Sequence, residues 1–63
     1  MNFSYYKKEI NNTPTDIMAE IEENGEFILE LFTITNTTTE GEFQQISLDE
    51  FREIARKYNL LTR

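Results

Sequence analysis

The segment from Ile17 to Ile34 constrains this chain more than any other, because apolar and acidic residues alternate there on either side of Asn24-Gly25. Ile17, Ala19 and Ile21 recur at every second position, as do Phe27, Leu29 and Leu31. That is the period of strands with one buried face. Asn-Gly between two such runs signals a β-hairpin. Two registers compete. A two-residue Asn24-Gly25 turn sets Ile21 against Ile28 and Ala19 against Glu30, which mixes acid into the apolar face. A three-residue loop, type I with Gly25 in a left-handed bulge, sets Ile21 against Phe27, Ala19 against Leu29 and Ile17 against Leu31. The second gives one continuous apolar face, so the bulged turn is the expectation, and a one-residue slip reverses every side chain. Its other face carries Met18, Glu20, Glu22, Glu26, Ile28, Glu30, Phe32 and Ile34.

The best local signature lies near the C-terminal end. Ser47 followed three residues later by Glu50 reads as a capping box, with Ile46 placed to staple onto Phe51. Leu48, Phe51, Ile54, Ala55, Tyr58 and Leu61 then recur at three- and four-residue steps, one apolar stripe of a helix. Leu60 falls off that stripe. Asp49, Glu50 and Glu53 precede Arg56 and Lys57, the order that suits the helix dipole. Residues 2–10 alternate loosely and read as a candidate strand. Asn11 to Asp16 reads as a loop in which Pro14 forbids a central strand. Residues 36–41 read as a flexible polar loop, and a short strand from Glu42 to Gln45 is expected to complete a second hairpin. The expected fold is α+β: an antiparallel sheet of three to four strands with one C-terminal helix packed on one face, a single domain over residues 1–63.

Composition narrows function. Among 63 residues there is no cysteine and no histidine, so thiolate nucleophiles, cysteine zinc sites and imidazole bases are unavailable. The expectation is a protein that is not an enzyme and needs no metal or cofactor. No run approaches the ~20 apolar residues of a membrane helix, and the first residues lack a signal-peptide core, so a cytoplasmic protein is expected. A core this thin supplies only about 3–5 kcal/mol net, and self-association as a homodimer is the expected remedy.

Twelve acidic against six basic side chains give a net charge of −6, and the signs are segregated. From Glu9 to Glu50 there is no Lys or Arg, while eleven of the twelve carboxylates fall in that stretch. Such a surface repels nucleic acid, which is excluded as a direct partner. The candidate partner-binding acids are Asp16, Glu20, Glu22, Glu23, Glu26 and Glu30. Carboxylates at alternate strand positions form a regular line. A rigid acidic row imitates a phosphate backbone and fits the basic groove of a nucleic-acid enzyme. The plainer alternative is a solvated face that keeps a marginal protein in solution. Met18, Ile28, Phe32 and Ile34, expected away from the helix, are the candidate apolar interface for a second copy or a partner. The competing reading has residues 2–10 folding over them.

The ensemble resembles the small acidic proteins with which phages disable host defence and repair enzymes, among them uracil-DNA glycosylase inhibitors, anti-restriction proteins and anti-CRISPR proteins. Ser47-Leu48-Asp49-Glu50-Phe51 is similar to the Ser-Leu-x-x-Phe opening of the helix in short dimeric glycosylase inhibitors, a resemblance that implies an interface role for Phe51. Arg52 and Ala55 depart from the acidic and aromatic character expected there, and the stretch from Gly25 to the helix is longer. The resemblance therefore implies the broad class: a phage-encoded inhibitor acting in the host cytoplasm on a nucleic-acid-acting host protein.

Overall fold

In the computed structural model, which describes residues 1–35 and 41–60, four antiparallel strands and one helix make up the fold. Strand β1 spans Asn2–Ile10, β2 Thr13–Glu23, β3 Glu26–Thr33 and β4 Gln44–Ile46, followed by helix α1, Leu48–Lys57. The spatial order is β3-β2-β1-β4, so the two long strands β1 and β2 are central. The expected α+β class holds, with residues 2–10 built into the sheet rather than folded over it.

Two tight turns set the register. Asn11 and Asn12 have φ of 54° and 65°, and Ile10 pairs with Thr13. Asn24 and Gly25 have φ of 56° and 83°, and Glu23 pairs with Glu26. Both central residues at positive φ is the signature of the two-residue type I′ turn, whose twist matches that of the flanking strands. The bulged turn expected from the hydrophobic pattern is therefore overturned. Ile21 faces Ile28, Ala19 faces Glu30 and not Leu29, and Ile17 faces Phe32 and not Leu31. Backbone preference at Asn-Gly outweighs the more uniform apolar face, because the helix covers only the half of that face remote from the turn.

Two further expectations are corrected. Thr13 to Asp16 belongs to β2, and Pro14 is accommodated opposite Glu9, beside a register shift between Lys8 and Glu9. On its other side β3 pairing stops at Asp16↔Thr33, so Pro14 sits where no ladder donor is required. Strand β4 does not close a hairpin on β3. It pairs with β1, Tyr5 opposite Ile46 and Lys7 opposite Gln44, at the far edge of the sheet. The loop expectation for residues 36–40 and the place of Leu61 on the helix stripe lie outside the described residues.

The core forms where α1 crosses the sheet. Ile17 is fully buried, Phe51 is 5% exposed, and Ile54 and Ala55 complete the cluster. Tyr5, Ala19, Phe32, Ile34, Ile46, Tyr58 and Leu60 pack around it. The Phe51 ring lies 4.9 Å from that of Tyr5 and 6.3 Å edge-on from that of Phe32. Ser47 caps α1 by accepting from the Glu50 amide at 3.1 Å. The reciprocal half of the capping box is replaced, since the Glu50 carboxylate accepts from Lys7 Nζ at 2.6 Å. At the other end, Asn59 has φ of 58°, its amide donates to the Arg56 carbonyl, and the Leu60 amide donates to the Ala55 carbonyl at 2.8 Å. This is a Schellman closure with Asn in the left-handed position, and it turns Leu60 back onto the core.

Candidate functional site

The register decides which side chains share a surface. Residues directly opposite in an antiparallel pair point to the same side of the sheet. The helix side therefore holds Phe3, Tyr5, Lys7, Ile17, Ala19, Ile21, Ile28, Glu30 and Phe32, and the uncovered side holds Tyr6, Met18, Glu20, Glu22, Phe27, Leu29 and Leu31. Of the four apolar interface candidates, Phe32 and Ile34 pack against the core under α1, and Ile28 lies on the helix side near the turn. Met18 alone lies on the uncovered side, opposite Leu31 and Tyr6. The expected grouping is corrected for a single reason: a one-residue change of register exchanges the faces of a strand.

Three unselected residues occupy the place those four were expected to fill. Phe27, Leu29 and Leu31 stand on the uncovered side with 62%, 58% and 58% of their surfaces exposed, and Ile28 is 60% exposed on the other side. All belong to β3, which among the described residues is an edge strand paired only with β2. The signal for them was Asn24-Gly25 itself, whose preference for a type I′ turn implies this register.

The acidic candidates divide in the same way. Glu20 and Glu22 lie on the uncovered side, whereas Glu30 and Glu26 follow β3 to the helix side, so the hairpin carries acid on both faces instead of one row. Neutral donors hold two of these carboxylates: Tyr6 donates its hydroxyl to Glu20 at 3.2 Å, and Glu22 accepts from the Asn2 amide at 2.9 Å and from the Gly25 backbone at 3.1 Å. Glu23, Glu26 and Glu30 are exposed. Asp16 is set apart, because it is 9% exposed, accepts from Thr15 at 2.9 Å and lies 4.0 Å from Lys8 Nζ. It is a structural carboxylate and does not join the hairpin surface.

Among the described residues the ion pairs are Lys7–Glu9, Lys7–Glu50 and Lys8–Asp16, all at the end of the sheet remote from Gly25. None involves Glu20, Glu22, Glu23, Glu26 or Glu30. Five hairpin carboxylates thus lie beside an exposed apolar strand without a described cation within ion-pair distance.

No protein-family model, curated protein or solved structure matches this chain. A groove of about 280 Å³ between the β1–β2 turn and α1 is lined by Lys7, Glu9, Pro14, Glu50, Glu53 and Tyr58. Two lysines line it: Lys7 is ion-paired with Glu9 and Glu50, and Lys57 lies over the Tyr58 ring. The Glu50 carboxylate and then Glu9 hold the Lys7 ammonium protonated above its ordinary pKa, so Lys7 offers no lone pair at neutral pH. Among the described residues no cluster of three or more His, Cys, Asp or Glu side chains could hold a metal ion. No described helix is long and apolar enough to cross a membrane. Phe51, which the resemblance implied at an interface, lies in the core.

Proposed function

We propose that this chain is a non-catalytic binding protein, a phage-encoded inhibitor that docks its β2–β3 hairpin into the basic site of a host defence or repair protein acting on nucleic acid. The observation that carries this reading is the set of five hairpin carboxylates, Glu20, Glu22, Glu23, Glu26 and Glu30, without a described cation partner. Negative charge on both faces of a thin hairpin suits insertion between basic walls, where it gains the attraction and counterion release that a nucleic-acid strand would. Binding of this kind needs no reactive group, in keeping with an engaged Lys7 and a chain without histidine or cysteine.

The experiment is affinity capture from a bacterial lysate on the immobilised wild-type chain and on the triple variant Glu20→Gln, Glu22→Gln, Glu26→Gln. Wild type should retain nucleic-acid-acting proteins that are released by added salt and by competing duplex DNA, while the variant, with unchanged circular dichroism, should not. Equal retention by the variant overturns the electrostatic mechanism. A second reading is favoured by Phe27, Leu29 and Leu31: a small homodimeric regulatory or adaptor module that meets its partner through the apolar sheet face. Capture indifferent to salt and to DNA supports that one instead.

A further inference from the structure

The outer edge of β3 has the properties of an unfinished sheet. Its eight residues run from Glu26 to Thr33 with no proline, no lysine and no bulge, three of the features with which natural edge strands discourage further pairing, and its charged residues are Glu26 and Glu30 alone. The other edge, β4, is only three residues long. In a two-residue hairpin the closing pair, here Glu23 and Glu26, exchanges hydrogen bonds, and the pattern then alternates. The backbone groups of Phe27, Leu29, Leu31 and Thr33 consequently point outward, away from β2. The outward-facing backbone and the exposed apolar side chains belong to the same residues.

We infer that β3 pairs antiparallel with β3 of a second copy of this chain, joining two four-stranded sheets edge to edge about a two-fold axis at Leu29. The argument for a second copy is self-complementarity. A two-fold axis perpendicular to the sheet keeps each face on its own side, so every residue must meet one of the same face. Only two registers satisfy this while pairing all but one of the eight residues. In the register centred on Glu30, two glutamates stand directly opposed at the closest cross-strand distance, which is unfavourable. In the register centred on Leu29, Phe27 meets Leu31, Leu29 meets its own copy, Ile28 meets Glu30, and Phe32 meets Glu26. No like charges oppose each other, and the apolar residues of the uncovered side become continuous across the seam. The pairing brings Glu26 and Glu30 of β3 to the seam and leaves Glu20, Glu22 and Glu23 of β2 free, so a dimer would meet the target of the proposed function through the β2 acids.

The chain contains no cysteine, which allows the register itself to be read. Leu29 residues facing each other as a hydrogen-bonded pair have Cα atoms about 5.5 Å apart, within disulfide range, while Glu30 and its copy are too far apart to be bridged. Light scattering on the wild-type chain should give twice the 7.5 kDa of one chain. Leu29→Cys should cross-link under mild oxidation and Glu30→Cys should not. A synthetic chain with an N-methyl group on the Leu29 amide keeps every side chain but loses an outward donor, and should be monomeric with unchanged circular dichroism. Two copies at −6 each repel, so the dimer should tighten as salt rises, opposite in sign to the salt response of target capture. A monomeric wild type overturns the proposal, as does a dimer that survives N-methylation. Cross-linking at position 30 in place of 29 overturns the register.

Discussion

Lys7 shows how one side chain ties the sheet to the helix. It stands beside Ile17 on the helix side of β1, and its ammonium lies 2.6 Å from Glu50 and 3.1 Å from Glu9. Glu50 also supplies the backbone amide that Ser47 caps, so the ion pair fixes the first turn of α1 against β1. Both carboxylates favour the protonated lysine, and the folded-state pKa is raised above the ordinary 10.5. The protonated form therefore contributes stability at every pH below the unfolded value, and that contribution is lost as pH climbs through the raised folded value. Lys7→Met should lower stability by about 1 kcal/mol near neutrality. In urea titrations from neutral to strongly alkaline pH, the wild-type and variant curves should converge above the lysine range. A constant gap would show that packing of the stem, not charge, is what Lys7 contributes.

At the level of elements, the β2–β3 turn governs everything said of the functional surface. Gly25 has φ of 83°, and a Cβ built there meets nothing within 4 Å. The penalty for a side chain is then purely backbone strain, with no steric clash. Gly25→Ala should cost about 1–2 kcal/mol, while D-alanine at the same position should match or exceed wild-type stability by restricting the unfolded chain. Thermal melts of the two synthetic chains test this directly, and equal loss for both enantiomers would refute a type I′ origin for the register. The helix needed less help from its surroundings. Its cap, stripe and charge order were legible because they are written in neighbouring residues. The Schellman closure at Asn59-Leu60 was missed because Leu60 lies off the 3.6-residue stripe and reaches the core only through a left-handed residue.

At the scale of the molecule, one small core carries the fold. Ile17 is the sole side chain of its size fully buried among the described residues, and every neighbour in the cluster packs near it. Ile17→Ala removes about 2–5 kcal/mol, comparable with the roughly 3–5 kcal/mol available to a domain of this size. That variant should lose cooperative unfolding by circular dichroism, whereas Ile17→Val should keep it with a lower urea midpoint. Retained cooperativity in Ile17→Ala would mean that a second copy contributes to stability, as the β3 pairing would allow. The charge distribution is also a property of the whole: the described ion pairs gather at one end of the sheet, and the β2–β3 hairpin carboxylates, none of them in a described ion pair, lie toward the other.

The linear sequence determined the α+β class, the helix with its N-cap, and the segregation of charge, because each depends on residues close together in the chain. It did not determine which face of β3 meets the helix. One register gave a continuous apolar face and the other the type I′ turn that Asn24-Gly25 favours, and a choice made on apolar continuity alone put Phe32 and Ile34 on the wrong side. Only the tertiary structure decided that, since α1 is short and needs an apolar platform at Ile17, Ala19 and Phe32 but not at Ile21 and Ile28. Burial where the helix lies, joined to the backbone preference of Asn24-Gly25, left Phe27, Leu29 and Leu31 exposed along an open edge.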